Sequence, residues 1–177
     1  KPDFIEAYLV YAVFLQNLGK LKDAELLSRK LIKLCPQLAE AHSNLGGILI
    51  SIGHLKDAKL SLLKAIDLNP NFSRVFYLLS TLNSSNKDQE WQDRLFSENF
   101  LKNISIKDQI FIYFARANIL HKNKFFKESA KNLKKANDLK LTINATESDK
   151  LIKKTQDLLY ASESNEVIQH KNIKYPQ

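Results

Sequence analysis

Methionine is absent from all 177 residues, cysteine occurs once, and glycine and proline occur four times each. Each scarcity excludes something. A sandwich or barrel needs turn residues every ~8–12 positions, so eight glycines and prolines in total point to a mostly helical chain. A single thiol, Cys35, closes no intrachain disulfide and builds no cysteine-rich metal site, which suits a reducing compartment and leads us to expect a cytoplasmic protein. No apolar run reaches the ~18 residues of a membrane span, and the opening Lys1-Pro2-Asp3-Phe4-Ile5-Glu6-Ala7 lacks the basic head and apolar stretch of a signal peptide. The missing methionine at position 1 leads to the expectation that further sequence precedes Lys1. What is present is a 44% hydrophobic, 10% aromatic composition, too apolar for a disordered chain and enough for one folded core.

Arginine is also scarce: 4 against 23 lysines, for a net charge of +8. The 15 asparagines and 15 isoleucines beside them come from the same AT-rich codons as lysine, so a codon bias accounts for part of the basicity. Residues 1–99 carry a net +1 and residues 100–177 a net +7, which assigns any electrostatic function to the second half.

The chain repeats itself with a period of 34. Pro2, Pro36 and Pro70 recur at that interval, as do Gly19 and Gly53, and Leu21-Lys22-Asp23-Ala24 returns as Leu55-Lys56-Asp57-Ala58. Each unit holds two stretches of helical periodicity divided by a glycine and closed by a proline. In the second, His42, Leu45, Leu49 and Ile52 share one face and Ala58, Leu62, Ala65 and Ile66 another. Gly46 and Ala58 are small where the two helices must approach closely, Gly53 suits a left-handed helix end, and Pro70 stops the second helix.

These positions resemble a tetratricopeptide repeat, read as His42, Leu45-Gly46, Leu49, Ala58, Leu62, Pro70 and, one unit earlier, Tyr8, Tyr11-Ala12, Leu15, Ala24, Ser28, Pro36. His42 and Ser28 depart from the family pattern. Pro2 occupies the closing position of a preceding unit. The resemblance implies an all-α, right-handed solenoid of antiparallel helix pairs, degenerate in its second half. Residues 1–72 hold two regular units, and 73–140 hold degenerate ones. In this stretch a helix over 88–103 carries Trp91, Leu95, Phe96 and Phe100; a further pair carries Tyr113, Ala117 and Leu120, then Phe126, Ser129, Leu133 and Ala136, with Arg116 and Lys124 as departures. Residues 141–163 read as a capping helix with Leu151, Ile152, Leu158 and Leu159 on its apolar side, and 164–177 as a polar linker.

Catalytic constellations are not found. Three of the four glycines occupy repeat positions, so there is no glycine-rich phosphate loop. His42, His54, His121 and His170 show no metal-ligand spacing. Cys35 beside Lys33 reads as an inert thiol rather than a nucleophile, and Asp23 and Glu25 as a solvated helix face. The expectation is a chain with no catalytic residue, no metal and no cofactor.

By the resemblance, the first helix of each unit lines a groove, here at Glu6, Leu9, Val13 and Gln16, then Glu40, Ser43, Gly47 and Ile50, then Arg74, Tyr77 and Thr81. Family members that grip a peptide carboxylate use five polar positions; they hold Leu9, Val13, Asn44, Arg74 and Leu78 here, three of them apolar, which argues against such a clamp. The implied partner is a protein, a peptide or an adjoining domain of the same protein. The alternative is nucleic acid bound by Lys127, Lys131, Lys134 and Lys135, which recur opposite Phe126, Ala130 and Leu133 with Lys122, Lys124 and Lys140 nearby. That face lacks arginine and stacking aromatics, so a solvated helix side is the plainer reading.

Residues 91–140, with their ending Lys134-Lys135-Ala136-Asn137-Asp138-Leu139-Lys140, are similar to the last repeats of bacterial proteins in which tetratricopeptide units precede a sulfotransferase domain. That similarity implies a helical part of a longer enzyme, with the phosphosulfate-binding loop beyond Gln177; the alternative is a stand-alone tetratricopeptide adaptor.

Overall fold

A computed structural model describes residues 2–82, 89–102 and 104–171, with side chains described for 4–82, 89–102 and 104–156. The described residues are helical without any strand: α1 (Pro2–Asn17), α2 (Leu21–Leu34), α3 (Ala39–Ile52), α4 (Leu55–Leu68), α5 (Ser73–Thr81), α6 (Gln89–Phe96), a short 3-10 turn (Glu98–Leu101), α7 (Ile106–Lys122) and α8 (Phe126–Lys171). None of the described helices is long and apolar enough to cross a membrane.

The 34-residue period is visible bond for bond in the turns. Gly19 and Gly53 take left-handed φ values of 74° and 93°. In both turns the next residue's N–H reaches five residues back, Lys20 to the Leu15 carbonyl and His54 to that of Leu49, at 2.9 Å each. Glycine carries no Cβ penalty in this conformation, so the turn is set by the residue that the period repeats. The same bonds recur between α7 and α8, where Phe125 N–H meets the Leu120 carbonyl at 2.9 Å and Lys124 stands in the glycine position at φ 65°. The α7–α8 pair is therefore a third helix hairpin of the same geometry, with Ser129 where α2 and α4 have Ala24 and Ala58. The Ser129 hydroxyl satisfies itself on the Ala117 carbonyl at 2.8 Å.

Close packing in the second unit depends on Gly46. A Cβ there would lie 2.5 and 2.6 Å from Cδ2 and Cγ of Leu62, a side chain with no exposed surface. The departure at His42 is equally local, since its Nε2 lies 2.9 Å from the Pro36 carbonyl and ties α3 to the turn before it.

Register is lost after α5, and the structure corrects the expected arrangement there. The helix expected over 88–103 is broken into α6 and the 3-10 turn, because Ser97 is extended and Arg116 captures the carbonyls that a continuous helix would have used. Its Nε donates to Leu95 O at 2.8 Å and an Nη to Ser97 O at 3.0 Å. Burial lowers the pKa of Arg116 from its ordinary value. α5 packs chiefly along α7, which takes the place of a second helix, while α6 contributes Trp91 and Leu95 from the side. Together α4, α5, α6, the 3-10 turn and α7 bury the main core: Leu62, Ile66, Val75, Phe76, Leu79, Trp91, Leu95, Phe100, Ile112 and Ile119. Phe76 is its centre, 4.8 Å from the Phe100 ring and 6.5 Å from Trp91.

Two compact units divide at Ala136. In the first, the buried side of α8 is Ser129 and Ala136, whereas Phe126 and Leu133, expected beside them, are exposed. The second unit, residues 137–177, is described as the remainder of α8 up to Lys171. No separate capping helix begins near 141, and residues 164–171, expected as a linker, are helical. Leu151 and Ile152 are exposed, so they do not form the apolar side of a cap. Leu158 and Leu159 have side chains outside the described set, and 172–177 lie outside the described residues altogether.

Candidate functional site: a groove on the first helices

Residues at i, i+3, i+4 and i+7 share one side of a helix. On α1 that side holds Glu6, Leu9, Val13 and Gln16, and 34 residues later α3 and α5 repeat it. The structure brings these positions together across the three helices. Gln16 donates to the Ser51 hydroxyl at 3.1 Å, and Ser51 to Gly47 O at 3.1 Å. The Cβ position of Gly47 is 3.8 Å from Gln16 Nε2 and 3.9 Å from Leu78 Cδ1, so this glycine sits between α1 and α5. A polar chain crosses the same helices one turn away: Asn44 Nδ2 donates to Leu9 O at 3.5 Å, and Arg74 donates to Asn44 Oδ1 at 3.5 Å.

Access divides the expected residues. Leu9, Val13, Gln16, Ile50, Arg74 and Tyr77 are half-buried and Thr81 is exposed, its hydroxyl turned to Leu78 O at 2.7 Å. Ser43 is fully buried, and Gly47 and Asn44 are buried as well, so these three form the groove floor and offer no surface to a ligand. For Ser43 the reason is size: it is the short residue at the register position that Leu9 and Tyr77 occupy in the flanking units. Tyr77 is engaged from the far side, with Phe111 and Phe114 of α7 at 6.0 and 6.3 Å between ring centres. Phe111 and Phe114 were not among the expected groove residues. Their i, i+3 spacing was legible, but the loss of period after Leu82 hid that α7 lies against α5.

Arg74 is the partly buried charged group on this side, whose other charged positions, Glu6 and Glu40, are exposed. Its long hydrogen bond to Asn44 is the contact it makes with a described side chain, no described carboxylate pairs with it, and burial lowers its pKa. A half-desolvated guanidinium without an anion attracts one from outside.

The lysine face is differently built. Lys127, Lys131, Lys134 and Lys135 are all exposed, and so are Phe126, Ala130 and Leu133, which the sequence sets opposite them. Lys135 lies 5.5 Å over the Tyr113 ring. Lys122 does not belong to this face, because its ammonium closes the end of α5 on the carbonyls of Ser80, at 2.7 Å, and Leu82. Cys35 is half-buried, and Glu25 pairs with Arg29 at 2.8 Å along α2. Among the described residues no cluster of three or more histidines, cysteines or acids could hold a metal.

Residues 39–72, the unit built by α3 and α4, match the tetratricopeptide repeat family model. No curated protein matches the chain. Among solved structures it is similar to MamA 41-end from Desulfovibrio magneticus RS-1, at 22% identity over 78% of this chain and 76% of that one, with a TM-score of 0.54. A crystal structure of MamA covers 82% of this chain and 83% of its own at 21% identity and a TM-score of 0.53. At these identities the likeness is one of fold, and the fold is an all-α, tetratricopeptide-type solenoid. Neither match extends to a sulfotransferase.

Proposed function

We propose that this chain is a non-catalytic interaction scaffold whose groove over α1, α3 and α5 holds an extended protein segment. The segment sets apolar side chains against Leu9, Val13, Ile50 and Tyr77 and one acidic group against Arg74. The observation that carries this reading is Arg74, a half-buried cation that bonds Asn44 and has no described carboxylate paired with it. The fold supports it, since tetratricopeptide units present such grooves to protein partners. A single arginine differs from the five-residue clamp, so an internal acidic residue fits as well as a chain end. The single half-buried thiol makes the cytoplasm the compartment we favour.

An array of peptides combining one Asp or Glu with two or three large apolar residues tests the groove. Binding should fall about tenfold or more in Arg74→Ala, the loss of a charge-assisted contact worth ~1.5–3 kcal/mol, and should disappear in Leu9→Glu. If Lys127→Ala/Lys131→Ala/Lys134→Ala weakens binding instead, and polynucleotide affinity drops by orders of magnitude from about 50 to 200 mM salt, the lysine face is the site. The sulfotransferase context rests on the resemblance of residues 91–140 alone. Its test is the polypeptide extended past Gln177, which should bind adenosine 3',5'-bisphosphate where residues 1–177 do not.

A further inference from the structure

The loss of period after α5 does not end the series of parallel first helices. Lys124 stands in the turn position of Gly53, seventy-one residues on, which is three residues more than two periods. The same offset carries the groove positions Glu40, Ser43 and Gly47 of α3 onto Phe111, Phe114 and Asn118 of α7. These stand at i, i+3 and i+7 and share one side of the helix, next to the side that buries Ile112, Ala115 and Ile119. Although α7 packs on α5 as closely as a second helix would, it runs in the same direction as α5. Tyr77 meets Phe111 and Phe114, Ser80 takes a hydrogen bond from Asn118 at 3.0 Å, and the Leu82 carbonyl takes one from Lys122. First helices pair in this way, as α1 and α3 do where Leu9 meets Asn44 and Gln16 meets Ser51.

What α7 adds is aromatic. The position of Glu6, Glu40 and Arg74 in the preceding first helices holds Phe111, and that of Leu9, Ser43 and Tyr77 holds Phe114. Tyr77, Phe111 and Phe114 are all half-buried, so each keeps surface open to solvent. The two phenylalanine rings are inclined to Tyr77 at 45° and 61°. Rings so tilted present both edges and faces, the two surfaces that a further aromatic ring packs against. Arg74 lies one turn before Tyr77 on the same side of α5, which sets this aromatic wall beside the guanidinium. The one acid of α7, Asp108, caps its own helix through Ser105, with its Oδ2 accepting from the hydroxyl at 2.6 Å. A cationic side chain would thus find no open carboxylate on α7 and would be repelled by Arg74.

We propose that the groove extends onto α7, where Tyr77, Phe111 and Phe114 form a subsite for an aromatic side chain of the bound segment. This subsite presupposes the groove over α1, α3 and α5 proposed above, and it adds an order to the segment. An extended chain rises ~3.3 Å per residue and packed helices lie ~8–10 Å apart, so the segment passes from α5 to α7 in two or three residues. Its aromatic residue stands that far from the acid held by Arg74, and the apolar residues over Leu9 and Val13 lie on the acid's other side.

The test uses the whole chain and a series of peptides with one fixed glutamate and leucines on one side of it. Tryptophan, leucine or alanine is placed at successive positions on the other side, and each peptide is made in both chain directions. Affinity should peak with tryptophan two or three positions from the glutamate, in one chain direction only. There it should exceed that of leucine about threefold or more, the margin of an aromatic contact over plain apolar area. Phe114→Leu, which keeps apolar bulk, should erase that margin while the leucine peptide binds as before. Phe111→Leu gives the same readout where Phe114→Leu lowers Tm. Arg74→Ala should weaken all the peptides alike. A tryptophan peak that survives both leucine substitutions, or affinity that ignores the position of the tryptophan, overturns the extension onto α7. The groove over α1, α3 and α5 then stands so long as Arg74→Ala still weakens binding. If no peptide binds, or Arg74→Ala affects none of them, the groove itself fails and the subsite with it.

Discussion

Gly46 shows how one absent methyl group sets the distance between two helices. Intrinsic helix preference favours alanine over glycine by ~1 kcal/mol, but a methyl at position 46 falls within 2.6 Å of Leu62 Cγ in a closed core. Overpacking of that kind costs ~1–3 kcal/mol. Clash wins over propensity, so Gly46→Ala should lose ~1–2 kcal/mol by urea unfolding, followed by fluorescence of the single tryptophan, Trp91, which lies in the same cluster as Leu62. In a Leu62→Ala background the same substitution should become neutral or stabilising; an equal loss in both backgrounds would mean that Gly46 acts through something other than this contact. The Gly46 requirement was legible in the sequence, because the spacing of Gly46, Ala58 and Leu62 follows from the repeat. The burial of Ser43 was not legible, since depth in a groove depends on how large the neighbours from other helices are.

At the scale of elements, what the sequence displayed best was the turn. The glycine period located α1 to α4, and the bonds that close the first turn, Gly19 N–H to Gln16 O and Lys20 N–H to Leu15 O, recur in the second as Gly53 to Ile50 and His54 to Leu49. It also recurs at Lys124, where no glycine announces it. A lysine held left-handed costs ~1–2 kcal/mol relative to glycine, so Lys124→Gly should raise stability by about 1 kcal/mol, whereas Gly53→Ala should lower it by a similar amount. Thermal or urea unfolding checks both signs, and a destabilising Lys124→Gly would mean that the lysine side chain holds this turn. Reading failed where elements are fixed by tertiary partners. The break after α6 is made by Arg116 reaching from α7 to Leu95 and Ser97, and the end of α5 by Lys122 and Asn118, the latter donating to the Ser80 hydroxyl at 3.0 Å. Such contacts span 19 to 42 residues and leave no local pattern. The run from 126 to 171 is a helix without a break because it contains neither glycine nor proline to stop it.

For the whole molecule, repetition supplies both the scaffold and its surfaces. Stacking the units places first helices side by side, which brings residues far apart in sequence, such as Leu9, Asn44 and Arg74, onto one side. The occupant we propose for that side is an extended segment carrying one acidic residue. The central claim is that binding occurs in the groove over α1, α3 and α5. Photo-crosslinking from benzoylphenylalanine placed singly at positions 9, 77 and 131 tests it most directly, with an acidic-apolar peptide selected from the array as the probe. The account predicts adducts from positions 9 and 77 that excess unlabelled peptide suppresses, and none from position 131. Adducts from position 131 alone, or adducts from 9 and 77 that survive unchanged in Arg74→Glu, would contradict it.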